Sequence, residues 1–330
     1  MKHTQTMKHT LTLLIVLLVS LVCGPVAAQA ESDAGGPLIP SIAGEWWRAA
    51  YSPELPELDS KRGEIVDHTF FRDADGTWQL WTQIRGTRHD RVFFRWTGST
   101  DFENDKQAWK PHRVCWVGDP HAGEMPRTIQ APHCYSEDGR WHMFYGGGGS
   151  ISRADSDDGH VFIRARNSDG FSRLFADLSN RTPSGMRDPY LFKADDGRYH
   201  LYYTWKDHVM ARTADRPDAA EWSEGVIVST TPNASQCPTV VRIGNWYYLF
   251  KMGGSGEYRT AVYASRDPLD FGGVEAKSIA TLPASAAEVL QIGNRWYISS
   301  LIPHRNGEGK VIGHAGVRLA PIEWKPASND

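Results

Sequence analysis

Three acidic residues, Asp67, Asp188 and Glu288, each stand near the start of a short segment that runs from polar residues into a strand-like apolar stretch. An ionised carboxylate and a protonated carboxylic acid on either side of a glycosidic bond can hydrolyse it. If the three carboxyl groups converge, their mutual repulsion raises some of their pKa values, whereas Arg187 keeps the neighbouring Asp188 ionised. The alternative is that each acid only accepts hydrogen bonds from nearby backbone amides.

The three acids belong to an internal repeat of five segments, each with a polar start, an apolar run, a turn and an aromatic run. The turn glycines are spaced by 63, 58, 47 and 49 residues, and they are Gly76, Gly139, Gly197, Gly244 and Gly293. The segments read DHTFFRDADGTWQLWT from Asp67, QAPHCYSEDGRWHMFYG from Gln130, RDPYLFKADDGRYHLYYT from Arg187, QCPTVVRIGNWYYLFK from Gln236 and AEVLQIGNRWYISS from Ala287. Since Asp, Asn and Gly readily adopt positive φ, each segment predicts a β-hairpin.

Further strands are predicted between the hairpins, at residues 91–96, 160–165, 209–213, 260–265 and 312–320. No stretch shows a sustained helical period, so few helices are expected. Repeats of about 50 residues built from strands alone are typical of four-stranded propeller blades. The sequence therefore predicts an all-β fold, a five-bladed β-propeller over residues 31–330, with a β-sandwich as the alternative.

The first strand of each propeller blade lines the central channel, so the segment starts are expected to meet at one mouth. The three acids are expected at equivalent repeat positions there, as catalytic residues. Substrate-binding residues are predicted around them from polar segment starts and from Trp205, whose ring could stack on a sugar. They are His68, Gln130, His133, Arg187, Trp205 and Gln236.

At these residues the sequence resembles the five-bladed propeller glycoside hydrolases, families 43, 32, 68 and 117. Arg187-Asp188-Pro189 is similar to the RDP motif, whose Asp binds sugar hydroxyls and stabilises the transition state. Asp67 falls where the first-blade Asp serves as nucleophile in family 32 or general base in family 43. Gln236-Cys237-Pro238 resembles the motif that carries the general acid. The resemblance covers roughly residues 60–320.

Two features depart from that pattern. The acid position holds Gln236, whose amide cannot donate a proton as a carboxylic acid does. Glu288 is the preferred replacement, because apolar neighbours should raise its pKa, and Glu124 and His133 are the alternatives. The chain also lacks room for the C-terminal β-sandwich of family 32, which favours a single-domain relative of family 43 or 117.

Residues 1–30 have the pattern of a secretory signal peptide. Two lysines precede the apolar run at residues 11–22, and Ala28-Gln29-Ala30 resembles a cleavage site. The run is too short for a typical membrane-spanning helix, and lipidation of Cys23 is the other alternative. We therefore expect a secreted or periplasmic protein that has no membrane association after cleavage.

Composition limits the partners. The net charge is −3, from 36 basic and 39 acidic side chains, which argues against nucleic-acid binding. No Cys/His cluster has zinc spacing, so neither a metal nor a cofactor is expected, although a structural calcium ion in the channel stays an open alternative. Cys115 and Cys134 are the closer pair for a disulfide, with three reduced thiols as the alternative. The oligomeric state is not predicted.

These observations predict a secreted glycoside hydrolase that acts on poly- or oligosaccharides. A non-catalytic carbohydrate-binding propeller is the second hypothesis, because Gln236 replaces the expected acid. A protein-interaction propeller is the third, and the acids at the channel mouth argue against it, because charged residues are depleted at the cores of protein interfaces.

Overall fold

The computed structural model describes residues 35–58, 63–179, 182, 185–230, 235–253 and 258–327. The described chain forms five antiparallel sheets, and the predicted five-bladed all-β propeller is confirmed. The predicted signal peptide at residues 1–30 lies outside the described residues. Among the described residues, no helix has the length and apolar character needed to cross a membrane.

The strands follow one another in chain order. Strands β1 and β2 are Ile39–Ile42 and Trp47–Tyr51. Blade one contains β3 Glu64–Arg72, β4 Trp78–Thr87, β5 Asp90–Thr97 and β6 Lys110–Val117. Blade two contains β7 Gln130–Glu137, β8 Arg140–Gly147, β9 Ser150–Ser156, β10 Ile163–Arg164 and β11 Arg173–Ala176. Two short 3-10 turns are Pro56–Leu58 and Pro120–Ala122.

Blade three contains β12 Arg187–Lys193, β13 Tyr199–Trp205, β14 His208–Ala214 and β15 Val226–Thr230. Blade four contains β16 Gln236–Ile243, β17 Trp246–Met252, β18 Thr260–Ser265 and β19 Ala280–Leu282. Blade five contains β20 Val289–Ile292, β21 Arg295–Arg305 and β22 Val311–Lys325. Strands β1 and β2 both pair with β22, so the start of the described chain completes the last blade.

The five repeat glycines occupy equivalent places, as predicted. Each lies in the turn between the first two strands of its blade and has a positive φ, between 56° and 81°. Side chains with a Cβ rarely adopt this backbone conformation, which explains why glycine marks every hairpin.

One predicted strand is mostly absent. Of residues 160–165, only Ile163–Arg164 is a strand. The carboxylate of Asp158 accepts the backbone N–H groups of His160 and Val161, at 2.7 and 3.0 Å. This local turn satisfies the amides that a longer strand would have used.

The first strand of every blade contains a β-bulge near its start. In blade three, Arg187 pairs with Thr204 and Tyr190 pairs with Tyr202, so Asp188 and Pro189 face one partner residue between them. The same shift occurs in blades one, two and four. In blade five, hydrogen bonds join Ser285 to Leu301 and Glu288 to Ser299 with the same spacing. An extra residue in one strand changes which way the following side chains point.

The core lies between neighbouring blades, where apolar and aromatic side chains of facing sheets pack together. Cys115, Cys134 and Cys237 are all free thiols, so the suggested disulfide is not formed. Lys251 is fully buried between blades three and four. Its ammonium donates to Ser229 Oγ at 2.7 Å and lies 4.6 Å from the ring centre of Tyr263.

Burial lowers the pKa of Lys251 from 10.5 to about 8. Between these values the unfolded chain binds more protons than the folded one, so folding becomes more favourable as pH rises through that window. Lys251→Met removes the titration, and the difference in unfolding free energy between wild type and variant should change by up to about 3 kcal/mol between pH 8 and 10.5, in favour of the wild type. Denaturant unfolding of both proteins across this range measures the difference, and a pH-independent difference would contradict the assignment.

Candidate functional site

A cavity of about 390 Å³ opens where the first strands of the blades begin. We call this cavity the funnel. Its polar lining comes from blades one to five, and a smaller pocket continues the channel below it. The residues that line the funnel are Val66, Asp67, Arg85, Arg91, Gln130, Arg187, Asp188, Gln236, Cys237, Met252, Ser285, Ala286, Leu301 and His314.

Five of the predicted site residues therefore meet in the funnel, and they are Asp67, Gln130, Arg187, Asp188 and Gln236. Three others, His68, His133 and Glu288, line the channel pocket instead. The remaining one, Trp205, lines neither cavity. Its indole N–H donates to Asp177 at 3.1 Å, and Lys206 lies over its ring. These contacts place Trp205 away from the funnel lining and give its predicted role no support.

Two carboxyl groups meet at the floor of the funnel. Side-chain ligand atoms of Asp67, Asp188 and Cys237 all lie within 4.8 Å of one another. Asp188 Oδ2 accepts the Thr204 hydroxyl at 2.8 Å and the Cys237 backbone N–H at 3.1 Å, and it lies 3.6 Å from Arg187 Nε. Three partners that favour negative charge thus hold Asp188 in place.

Asp67 has a different environment. Its described hydrogen-bond partner is the thiol of Cys237, at 3.7 Å. Burial and then the charge of Asp188 raise the pKa of Asp67 to about 7, although Arg91, His314 and Arg187 act in the opposite direction. Burial and the same two carboxylates raise the pKa of the Cys237 thiol. The funnel floor therefore pairs a strongly supported carboxylate with one that titrates near neutral pH.

An ion-pair cluster forms one wall of the funnel. The Glu64 carboxylate lies 2.6 Å from Arg85 Nε and 2.9 Å from His314 Nδ1. Burial alone would raise the pKa of Glu64, but the contacts with His314 and Arg85 lower it to about 2. Glu64 thereby fixes the orientation of the His314 ring and remains ionised. An imidazole oriented in this way through one nitrogen can exchange a proton through the other.

Glu288 is held against blade one. Its two carboxylate oxygens accept the Thr69 hydroxyl at 2.9 Å and the Phe70 backbone N–H at 2.8 Å, while His133 Nδ1 lies 3.5 Å away. Nearby, His68 bonds Ser299 at 2.7 Å, and burial lowers its pKa to about 3. Glu288 thus joins blade five to blade one, and these contacts count against its predicted role as proton donor, which stays a prediction.

The expectation that the three acids share one repeat position is wrong. Strand pairing aligns Asp188 with Ala286, whereas Glu288 aligns with His68. Asp67 falls on the position between these two, where blade three has Pro189. The extra residue in each bulge makes such one-residue offsets hard to see in the sequence, and it explains why Glu288 lies in the channel pocket.

Glu124, an alternative proton donor, is also engaged elsewhere. Its carboxylate is 4% exposed and accepts Arg164 at 2.7 Å, the Tyr145 hydroxyl at 2.6 Å and the Asp119 backbone N–H at 2.8 Å. It lines neither the funnel nor the channel pocket. These contacts hold the loop before blade two and count against Glu124 as the proton donor.

Sequence reasoning missed the residues Arg85, Arg91, His314 and Glu64. Arg85 lies in β4 and Arg91 in β5, on either side of the hairpin turn. Glu64 pairs directly with Arg85 across β3 and β4. Opposite charges at paired positions of a predicted hairpin indicate a cross-strand ion pair, so the sequence contains a signal for Glu64 and Arg85. His314 comes from β22, outside the repeated hairpins, and no repeat position marks it.

Calcium does not fit the funnel floor well. The group of possible ligands there comprises two carboxylates and the thiol of Cys237. Calcium takes six to eight oxygen ligands, and a thiol is a poor one. Arg187 also lies close to the Asp188 carboxylate, where a cation would bind.

Comparison with known proteins finds solved structures of similar fold. No protein-family model matches the chain, and no curated protein matches its sequence. An exo-1,5-α-L-arabinanase from a bovine ruminal metagenomic library has a TM-score of 0.57 and 18% identity, over 78% of this chain and 92% of that one. A thermostable family-43 glycoside hydrolase has a TM-score of 0.59 and 13% identity, over 84% and 96%. The shared feature is the five-bladed propeller fold.

A third solved structure is a family-43 β-xylosidase/α-arabinofuranosidase from a compost microbial metagenome, in complex with xylotriose. It has a TM-score of 0.54 and 13% identity, over 86% of this chain and 95% of that one. All three matches cover most of both chains. At these identities they show the fold, and the chemistry has to be argued from the funnel itself.

The contacts of Glu288 generate a prediction. Glu288→Gln keeps the size of the side chain, but its amide has only one oxygen that can accept a hydrogen bond. Either the Thr69 hydroxyl or the Phe70 backbone N–H then faces the amide N–H instead of an acceptor. The unfolding free energy should fall by about 1–3 kcal/mol. Thermal or denaturant unfolding checks this, with Gln291→Glu, on the exposed part of the same strand, as a control for the exchange. Unchanged stability together with a hundredfold loss of hydrolysis would instead support Glu288 as the proton donor.

Proposed function

We propose that the protein is a glycoside hydrolase that is exported and cleaves poly- or oligosaccharides in the funnel. The observation that carries this proposal is the pair Asp67 and Asp188, whose carboxyl oxygens from two different blades meet within 4.8 Å at the floor of an open cavity. Asp188 is fixed by three partners, whereas the pKa of Asp67 is raised to about 7, a value that suits a general base near neutral pH. The solved propellers of similar fold, which are described as glycoside hydrolases, add support.

In the proposed reaction, ionised Asp67 removes a proton from a water molecule as the water oxygen bonds to the anomeric carbon. The bond from that carbon to the leaving oxygen breaks, and the leaving oxygen takes a proton. Asp188, held in place by Thr204, Cys237 and Arg187, stabilises the positive charge that develops on the sugar. The reaction consumes one water molecule; the proton left on Asp67 returns to solvent, and the group that protonated the leaving oxygen regains a proton from solvent.

His314 is the proton donor in this proposal. It lines the funnel, and the described funnel lining contains no carboxyl group besides Asp67 and Asp188. His314 Nδ1 lies 2.9 Å from the Glu64 carboxylate, which favours an imidazolium, and the second ring N–H supplies the proton for the leaving group. Glu64 is then a positioning residue, because it acts on the substrate only through His314.

A carbohydrate-binding propeller without catalysis is the second candidate. It is favoured by Gln236, an amide that lines the funnel at the position where the resemblance places the acid. Arabino- and xylo-oligosaccharides and aryl glycosides separate the two candidates. New reducing ends detected by mass spectrometry support the hydrolase, whereas binding without any product supports the binding propeller.

The pKa of Asp67 predicts a pH profile. The base must be ionised and the donor protonated, so kcat/KM should rise as pH increases through about 7 and fall again at higher pH, where the donor has lost its proton. Asp67→Asn preserves the volume of the side chain and should reduce kcat by ~10²–10⁴-fold while sugar binding persists. Steady-state kinetics from pH 5 to 9 measure both effects. Activity that falls through pH 7 would make Asp67 the proton donor instead.

The donor role of His314 predicts a dependence on the leaving group. His314→Gln should slow substrates with poorly acidic leaving groups, such as disaccharides, by at least about a hundredfold, and should slow dinitrophenyl glycosides far less. Glu64→Gln should give the same pattern in a weaker form and shift the pH profile, since it disturbs the His314 ring. His304→Gln, on an exposed part of blade five, is the control. Equal losses for both substrate types would contradict the donor role.

A further inference from the structure

Arg91 differs from the other arginines that line the funnel. Arg85 is paired with Glu64 and Arg187 lies beside Asp188. No carboxylate oxygen of a described residue lies within ion-pair distance of Arg91. Its Nη1 donates to the side-chain oxygen of Gln130, and its Nε is buried without a hydrogen-bond partner. Arg91 lines the funnel, and no described residue accepts a hydrogen bond from its Nη2, so this donor is available to a ligand.

The charged side chains that line the funnel also bear on the kind of ligand that binds there. Of the three guanidinium groups that line the funnel, Arg85 has Glu64 and Arg187 has Asp188 as a carboxylate partner, whereas the charge of Asp67 favours protonated Arg91 only from beyond ion-pair distance. Burial disfavours the charged guanidinium of Arg91 and so lowers its pKa. The amides of Gln130 and Gln236 suit a neutral sugar, but such a sugar would give the half-buried Arg91 guanidinium no direct anionic partner.

We infer that the sugar bound in the funnel is acidic, and that Arg91 recognises its anionic group. A guanidinium presents two parallel N–H donors that match a carboxylate or a sulfate. The ligand is thus a uronic acid or a sulfated sugar, and both share the chemistry of a bidentate oxyanion. This inference rests on the proposed function for its setting, because it names the substrate class of the same site.

Matched oligosaccharides test the inference. Trisaccharides of galacturonate, glucuronate and mannuronate are compared with their neutral methyl esters, and sulfated galactose oligosaccharides with their desulfated forms. Isothermal titration calorimetry at low and high salt gives the dissociation constants. At least one acidic probe should bind about tenfold more tightly than its neutral partner, because a charge-assisted hydrogen bond contributes that much.

Three variants localise the effect. Arg91→Met should abolish the preference for the acidic probe, and Arg91→Lys should keep part of it, because the charge remains and the paired donors are lost. Arg88→Met, on the same hairpin, exposed and outside the funnel lining, removes an equal charge and should leave the preference intact. Thermal unfolding confirms that each variant is folded.

The outcomes separate this inference from the proposed function. Neutral probes that bind as tightly as every acidic one, or a preference that survives in Arg91→Met, overturns the inference. Hydrolysis of neutral oligosaccharides at a rate unaffected by Arg91→Met would do the same and would leave the hydrolase proposal standing. Binding of acidic probes through Arg91 without cleavage would support the inference and contradict the hydrolase.

Discussion

The β-bulge at the start of each channel-lining strand is the constraint on which the site depends. In blades two to five its second residue has a positive φ, which is uncommon for residues with a side chain, and Asp188 and Cys237 are two of these residues. This conformation lets the Cys237 backbone N–H reach the Asp188 carboxylate across the blade boundary. Since blades three and four both follow the same geometry, the support of the Asp188 carboxylate is part of the fold itself.

The bulges also divide the axis of the propeller into levels. In blades two to five the residue just before the bulge lines the funnel, the bulge residues line the funnel, the channel pocket or both, and in all five blades the residue just after the bulge lines the channel pocket. At the lower level, Glu288 accepts hydrogen bonds from Thr69 and Phe70 and so links the last blade to the first. Acidic residues one level apart thus have different surroundings: Asp67 and Asp188 line the open funnel, whereas Glu288 joins the last blade to the first.

The sequence was sufficient for the fold because its signals are local and repeated. Asp-Gly turns mark the hairpins of three blades, and the predicted strand at residues 260–265 is observed as Thr260–Ser265. The site was predicted only in part. A bulge adds one residue without any composition that reveals it, so Asp188 and Glu288 seemed equivalent. The pairing of Glu64 with His314 joins residues 250 positions apart, and such a contact leaves no trace in a single sequence.

The closure of blade five has a consequence for the order of folding. Strand β1 pairs with β22, so Ser41 and Glu323, 282 positions apart, are joined by a hydrogen bond. Long-range pairings of this kind form late and slowly. Strand β1 leaves the ribosome long before β22, so its partner strand is missing until β22 has been synthesised. The funnel, which needs residues from β3 to β22, is therefore assembled only when synthesis is almost complete.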